Sequence, residues 1–188
     1  MIRYSFSFLE KINKKTEDLI RSQGIFTWDD FIEAKSVKGI SQMRKGFYDR
    51  FLEKAKLNLQ YRNEAFFYGR IPLKEMWRLY DHFKDDAIYL DIETSSYNRI
   101  TVVGMYNGDN SRMLIRGFNL DKEILKEAFS GCKMIVTFNG SCFDVPCINK
   151  YFSETVPAVP HLDLRFACAQ LGLRGRLKNI EKQIGISR

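Results

Sequence analysis

Two carboxylates at positions i and i+2, Asp91 and Glu93, close the apolar run Ala87-Ile88-Tyr89-Leu90-Asp91-Ile92-Glu93-Thr94. The run reads as a strand buried on both faces, the usual centre of a sheet covered by helices. Alternate side chains of a strand point the same way, so both acids share one face at its end. Like charges that close repel, and burial raises the cost. A divalent cation between them removes the conflict, and a pair of hard oxygen donors suits Mg²⁺ or Mn²⁺. A strand that simply ends in two solvated acids carries the same pattern, so its meaning depends on a third acid. Asp144 follows a second apolar run, Met134-Ile135-Val136-Thr137-Phe138, and the turn Asn139-Gly140. In βα units, ligands sit beyond the C-terminal ends of parallel strands. If this second strand runs beside 87–92, then Asp91, Glu93 and Asp144 converge there as a carboxylate cage for a divalent metal. The helix dipole favours an acid at a helix N-terminus. That explains where Asp144 sits, but not its match with the other pair.

The rest of the C-terminal part supplies elements able to hold these acids. Ile100 to Tyr106 and Arg112 to Arg116 read as strands around the hairpin signal Asn107-Gly108-Asp109-Asn110. Asn119 caps an expected helix to Phe129. A second helix runs from Phe143 to Phe152, where Pro146 is tolerated in the first turn. His161-Leu162-Asp163-Leu164 is a short strand, and helical patterns with Leu177, Ile180 and Ile184 on one side end the chain. A meander followed by βα crossovers predicts an α/β fold: a mixed five-stranded sheet flanked by helices.

Ahead of it, an all-α basic region is expected. Residues 1–80 carry 16 Lys and Arg against 10 Asp and Glu, so they hold +6 of the total net charge of +7. Nucleic acid is the natural partner of such a surface. Residues 8–34 read as helix, turn, helix, with Thr16, Thr27 and Ser41 as caps and Gly24 closing a helix. An amphipathic helix over 47–68 places Phe47, Phe51, Ala55 and Leu59 on one stripe. Pro72 opens another helix, Leu73 to Phe83, that carries Trp77 and Tyr80 inward. Short helices with Lys14, Lys15, Lys38, Arg44 and Lys45 beside Gly-containing turns resemble helix-hairpin-helix elements that grip a nucleic-acid backbone. A small helical packing module fits the same pattern. The expected division is therefore 1–69 as the helical region and 70–188 as the α/β domain.

No apolar run reaches membrane-spanning length and no signal peptide is read at the N-terminus, so a cytoplasmic location is the expectation. Cys132, Cys142, Cys147 and Cys168 lack zinc spacing and read as reduced thiols.

Asp91-Ile92-Glu93-Thr94 resembles the first motif of the DEDD-type, DnaQ-like 3′–5′ exonucleases, which have the ribonuclease H-like fold. Phe138-Asn139-Gly140-Ser141-Cys142-Phe143-Asp144 resembles their second motif. With Trp77, Arg78, Leu79 and Tyr80 included, the likeness is nearest to the YprB-type branch of predicted exonucleases. The resemblance implies hydrolysis of phosphodiester bonds at a DNA or RNA 3′ end, with two Mg²⁺ or Mn²⁺ ions in a complete site. Asp91 would bridge the two ions, Glu93 would hold the first and Asp144 would help hold the second. Thr94 would touch the terminal nucleotide, Asn139 and Phe143 would position the strand, and Asp163 would support the site.

One departure matters. The family's fourth acid, preceded by a Tyr or His base, belongs on a late helix, and Glu181 is the only carboxylate after Asp163. The expectation is a domain lacking that helix and nearly inactive over residues 1–188, with activity in a form extended through it. The alternative is a non-catalytic nucleic-acid-binding protein that keeps the exonuclease fold. His82 and His161 lie at the wrong strand ends to serve as the base and read as surface or structural histidines. Ser95-Ser96 stands where relatives have a Thr-Gly-like turn.

Overall fold

The computed structural model describes residues 1–97 and 99–186; Asn98 of the turn expected after Thr94, and Ser187 and Arg188, lie outside the described residues. Five strands form one sheet in the order β3-β2-β1-β4-β5. They are β1 (Ala87–Thr94), β2 (Ile100–Tyr106), β3 (Ser111–Ile115), β4 (Met134–Thr137) and β5 (His161–Asp163). β2 pairs antiparallel with β1 and with β3, while β4 runs parallel to both β1 and β5. This is the mixed α/β architecture read from the sequence.

The alternation of β1 divides the core into two layers. Ile88, Leu90 and Ile92 enter one cluster with Ile135, Leu125, Phe129 and Ile148. Ala87, Met134, Val136 and Leu162 face the other, which continues without interruption through Phe83, Leu79, Phe67, Leu52, Trp28 and Phe6 to Ile2. The helices α1 (Lys14–Arg21), α2 (Trp28–Glu33) and α3 (Gln42–Gln60) thus share one hydrophobic layer with the sheet. Phe8–Trp28, Phe51–Phe66 and Phe67–Phe83 ring contacts link them. The Trp28 indole N–H donates to the Ser5 carbonyl at 2.8 Å, so a fully buried polar atom is satisfied.

Local chemistry explains where elements begin. Thr27 and Asp30 form a reciprocal capping box on α2, as the spacing predicts, and Ser41 caps α3. α1 starts earlier than expected because Asn13, not Thr16, accepts the first free N–H, and Phe8 and Leu9 precede the helix in turns. Leu73–Leu79 is a 3-10 helix leading into the short α4 (Tyr80–Phe83), with Met76, Leu79 and Phe83 buried and Trp77 half-buried. Beyond the sheet's meander, α5 (Lys122–Ala128) is capped by Asp121 in place of Asn119, whose side chain instead bonds back to Met113 and Ile115. α6 (Asp144–Tyr151), α7 (Leu164–Gln170) and α8 (Leu177–Gln183) complete the chain, and the 3-10 segment packs on β5 and α7. Among the described residues, no helix is long and apolar enough to cross a membrane.

Candidate active site

The pairing of β1 with β4 ends at Tyr89 and Val136, while β1 continues to Thr94. The overhanging part has a neighbour on the β2 side only. On its open side, the Ile92 N–H donates 3.0 Å to Asp144 Oδ1. A buried carboxylate at the start of α6 therefore completes the edge that β4 leaves unpaired. Asp91 and Glu93 stand on the exposed face of the same overhang.

The three acids act on one another electrostatically. Burial, then the charge of Asp91, pushes Asp144 up to about 6, although the Ile92 N–H pulls the other way. Partial desolvation at the end of the sheet, then the charge of Glu93, raises Asp91. Among the described residues, however, no three His, Cys, Asp or Glu side chains are gathered into a metal-holding group. The cage expected from the sequence is not preformed. The donor set still suits a hard cation: it is all carboxylate, its members repel one another, and an ion relieves that repulsion. Asp144 is fixed by its hydrogen bond, while Asp91 and Glu93 are exposed and have room to turn.

Beside the acids, the Asn139-Gly140-Ser141 turn is tied to β5 by Asp163, which is 1% exposed. Asp163 accepts four hydrogen bonds, from Asn139 N (2.7 Å), Ser141 N (3.1 Å), Ser141 Oγ (2.6 Å) and Arg165 N (3.0 Å). It thus fixes the turn and caps α7 at once, which makes it a positioning residue. Asn139 sits in the left-handed region at φ +66, a conformation asparagine tolerates, and its Oδ1 accepts from Arg165 Nη1 at 2.5 Å. Gly140 admits no side chain, because a Cβ would lie 2.5 Å from Thr137 Cβ and Oγ1. An Asp163→Asn variant keeps one acceptor oxygen and turns an amide toward N–H donors. It should lose about 2 kcal/mol of stability, as expected for a buried donor left unpaired. Denaturant melts of the two proteins measure this, and equal midpoints would mean that the turn is held by something else.

The other expected site residues separate. Thr94 is half-buried at the end of β1, and Phe143 is 41% exposed just before α6. Lys14, Lys15, Lys38 and Arg44 are exposed. Lys45 is not: it is 3% exposed, its Nζ lies 2.7 Å from both Asp49 oxygens, and it sits 5.1 Å from the centre of the Phe31 ring. Its assignment to the phosphate backbone is therefore corrected, since the charge is spent inside the N-terminal region. His161 bonds Thr137 Oγ1 at 2.8 Å through Nε2, and burial lowers its pKa, so it is a structural residue. Sequence reasoning passed over Ser141 and Arg165. The only signal for them was their place beside motif residues.

A family model of the RNase H superfamily matches residues 88–188, more than half of the chain and all of the elements from β1 onward. The chain belongs to the RNase H superfamily. No curated protein and no solved structure gives a significant match. The superfamily assignment agrees with the mixed sheet and points to nuclease chemistry on a nucleic-acid substrate.

Proposed function

We propose that the chain is a metal-dependent 3′–5′ exonuclease domain of the RNase H superfamily, with Asp91, Glu93 and Asp144 as its catalytic acids. The observation that carries this reading is the seating of Asp144 on the Ile92 N–H of the β1 overhang that bears Asp91 and Glu93. The direction of attack rests on the likeness of the 91–94 and 138–144 motifs to DEDD-type exonucleases. Mg²⁺ or Mn²⁺, when bound, would supply an activated water and stabilise the leaving oxygen. The protein's own part is to hold the carboxylates. The Ile92 N–H orients Asp144, and the β1 backbone presents Asp91 and Glu93 on one face. Asp163 holds the turn that carries Asn139, and the exposed Phe143 just before α6 offers a ring to a base. The late acid of the DEDD-type pattern has no match in residues 164–186, where Glu181 on α8 is the one carboxylate, so turnover by residues 1–188 is proposed to be slow.

The test uses oligonucleotides of DNA and RNA labelled at the 3′ or the 5′ end, with Mn²⁺ or with chelator. Release of labelled mononucleotide from the 3′ end, dependent on Mn²⁺, is the expected result. Binding without any cleavage would favour the second reading, a non-catalytic nucleic-acid-binding protein that keeps the exonuclease fold.

The N-terminal region, residues 1–69, is proposed to add affinity through Lys14, Lys15, Lys38 and Arg44. Phosphate contacts release counterions, each contributing roughly 0.7–0.9 to the slope of log K against log salt. Changing all four to Ala should weaken binding and flatten that slope by about 3 if every side chain meets a phosphate. An unchanged slope in salt-titrated anisotropy would remove this region from the binding surface.

A further inference from the structure

A cleft of about 750 Å³ opens between the C-terminal end of β4 and the connection of α7 to α8. That volume is within the range of roughly 300–1,000 Å³ spanned by sites for organic ligands. Phe138, Leu173, Leu177 and Ile180 give it an apolar floor, while Arg165, Arg174 and Arg176 line it with positive charge. Among the described residues, no carboxylate lines it. The guanidinium of Arg165 is already turned to Asn139. Arg174 and Arg176 are exposed, and their side chains have no hydrogen-bond or ion-pair partner among the described residues. Gly175 between them has φ +117, a backbone state that L side chains rarely adopt, so the bend carrying both arginines depends on glycine. Asn139 is shared: it lines the cleft and also belongs to the turn that Asp163 holds beside the acids.

We infer that this cleft seats an unpaired nucleic-acid strand next to the carboxylates, with Arg174 and Arg176 on its phosphates and the apolar floor beneath a base. The combination is what an unpaired strand requires. Arginine meets phosphate through a planar fork of donors, and bare bases bring apolar faces that a duplex hides in its stack. A purely anionic ligand would have no use for the floor, and a purely apolar one none for the arginines. The inference rests on the nuclease reading for the direction in which the strand runs, but binding in the cleft needs no catalysis.

The experiment is therefore a binding measurement in chelator, by anisotropy of labelled oligothymidylate, on the full chain and on an Arg174→Ala/Arg176→Ala double variant. The double variant should bind about 10-fold more weakly at low salt, and its salt slope should be smaller by about 1.4, roughly 0.7 per lost single-strand phosphate contact. Its melting temperature should not move, since neither side chain has a partner to lose. An Arg174→Lys/Arg176→Lys variant should recover the slope. Equal binding by the alanine variant, or no binding of oligothymidylate by the parent chain, would overturn the assignment. So would equal affinity for a blunt duplex or for a mononucleotide. If the parent chain binds as expected but releases no nucleotide with Mn²⁺, the exonuclease reading fails while the cleft assignment stands.

Discussion

Asp91→Asn should lower Mn²⁺-dependent nucleotide release by about 10³-fold or more while leaving the fold intact. A loss of that size corresponds to about 4 kcal/mol of transition-state stabilisation. The large effect follows from position. Asp91 is the acid through which the other two are linked, since its charge acts on Asp144 and the charge of Glu93 acts on it. Removing it takes away the central anion of the set that a cation would need, so the loss should fall on turnover more than on substrate affinity. The intact fold follows from exposure: Asp91 stands on the open face of the β1 overhang, clear of both core layers. Losing a charge that repels two neighbours should leave the melting temperature unchanged or slightly raised. Single-turnover release from a 3′-labelled strand, measured beside a thermal melt, separates these outcomes. Undiminished release by the variant would mean that the chemistry lies elsewhere.

The sheet was legible because its strands carry their own signal. The runs 87–90 and 134–136 are apolar on both faces, and Asn107 to Asn110 announces the hairpin. The site acids were legible for the same reason, since an i, i+2 pair on a strand needs no knowledge of the rest of the fold. Long-range geometry was not. Nothing in the spacing shows that β4 stops short and leaves the Ile92 N–H to Asp144, or that Asp163 accepts three hydrogen bonds from a turn more than twenty residues away. The face of α3 was misjudged because Lys45 looks like a surface charge. Asp49 and the Phe31 ring make its burial tolerable, so Tyr48 and Leu52 point inward while Phe47 stays half exposed. The arginine cleft is hidden from the sequence for a related reason. Residues 81–188 are nearly neutral in sum, and only the turn at Gly175 brings Arg174 and Arg176 beside Arg165.

Asp144→Asn should make the protein more stable at neutral pH, although it removes a buried group that accepts a hydrogen bond. The folded protein raises this carboxyl from an ordinary 3.8 to about 6, chiefly by burial and then by the charge of Asp91. Below pH 4 the group is protonated in the folded and the unfolded chain alike, and its contribution is at its most favourable. As pH rises from 4 to 6, the unfolded chain gives up this proton first, so ionisation favours unfolding. Above pH 6 the folded protein carries the full cost of a buried anion, up to about 3 kcal/mol for a shift of this size. Asparagine keeps an oxygen for the Ile92 N–H and never ionises. The variant should therefore match the parent near pH 4 and exceed it by as much as about 3 kcal/mol at pH 7.5. Denaturant melts at both pH values measure the difference. Mn²⁺ adds a second comparison, because a cation needs the ionised carboxylate. It should stabilise the parent at pH 7.5, do much less at pH 4.5, and leave the variant nearly unmoved. A variant less stable than the parent at pH 7.5 would show that Asp144 is held as an anion by partners stronger than Ile92, and the site would then owe its order to them rather than to a cation.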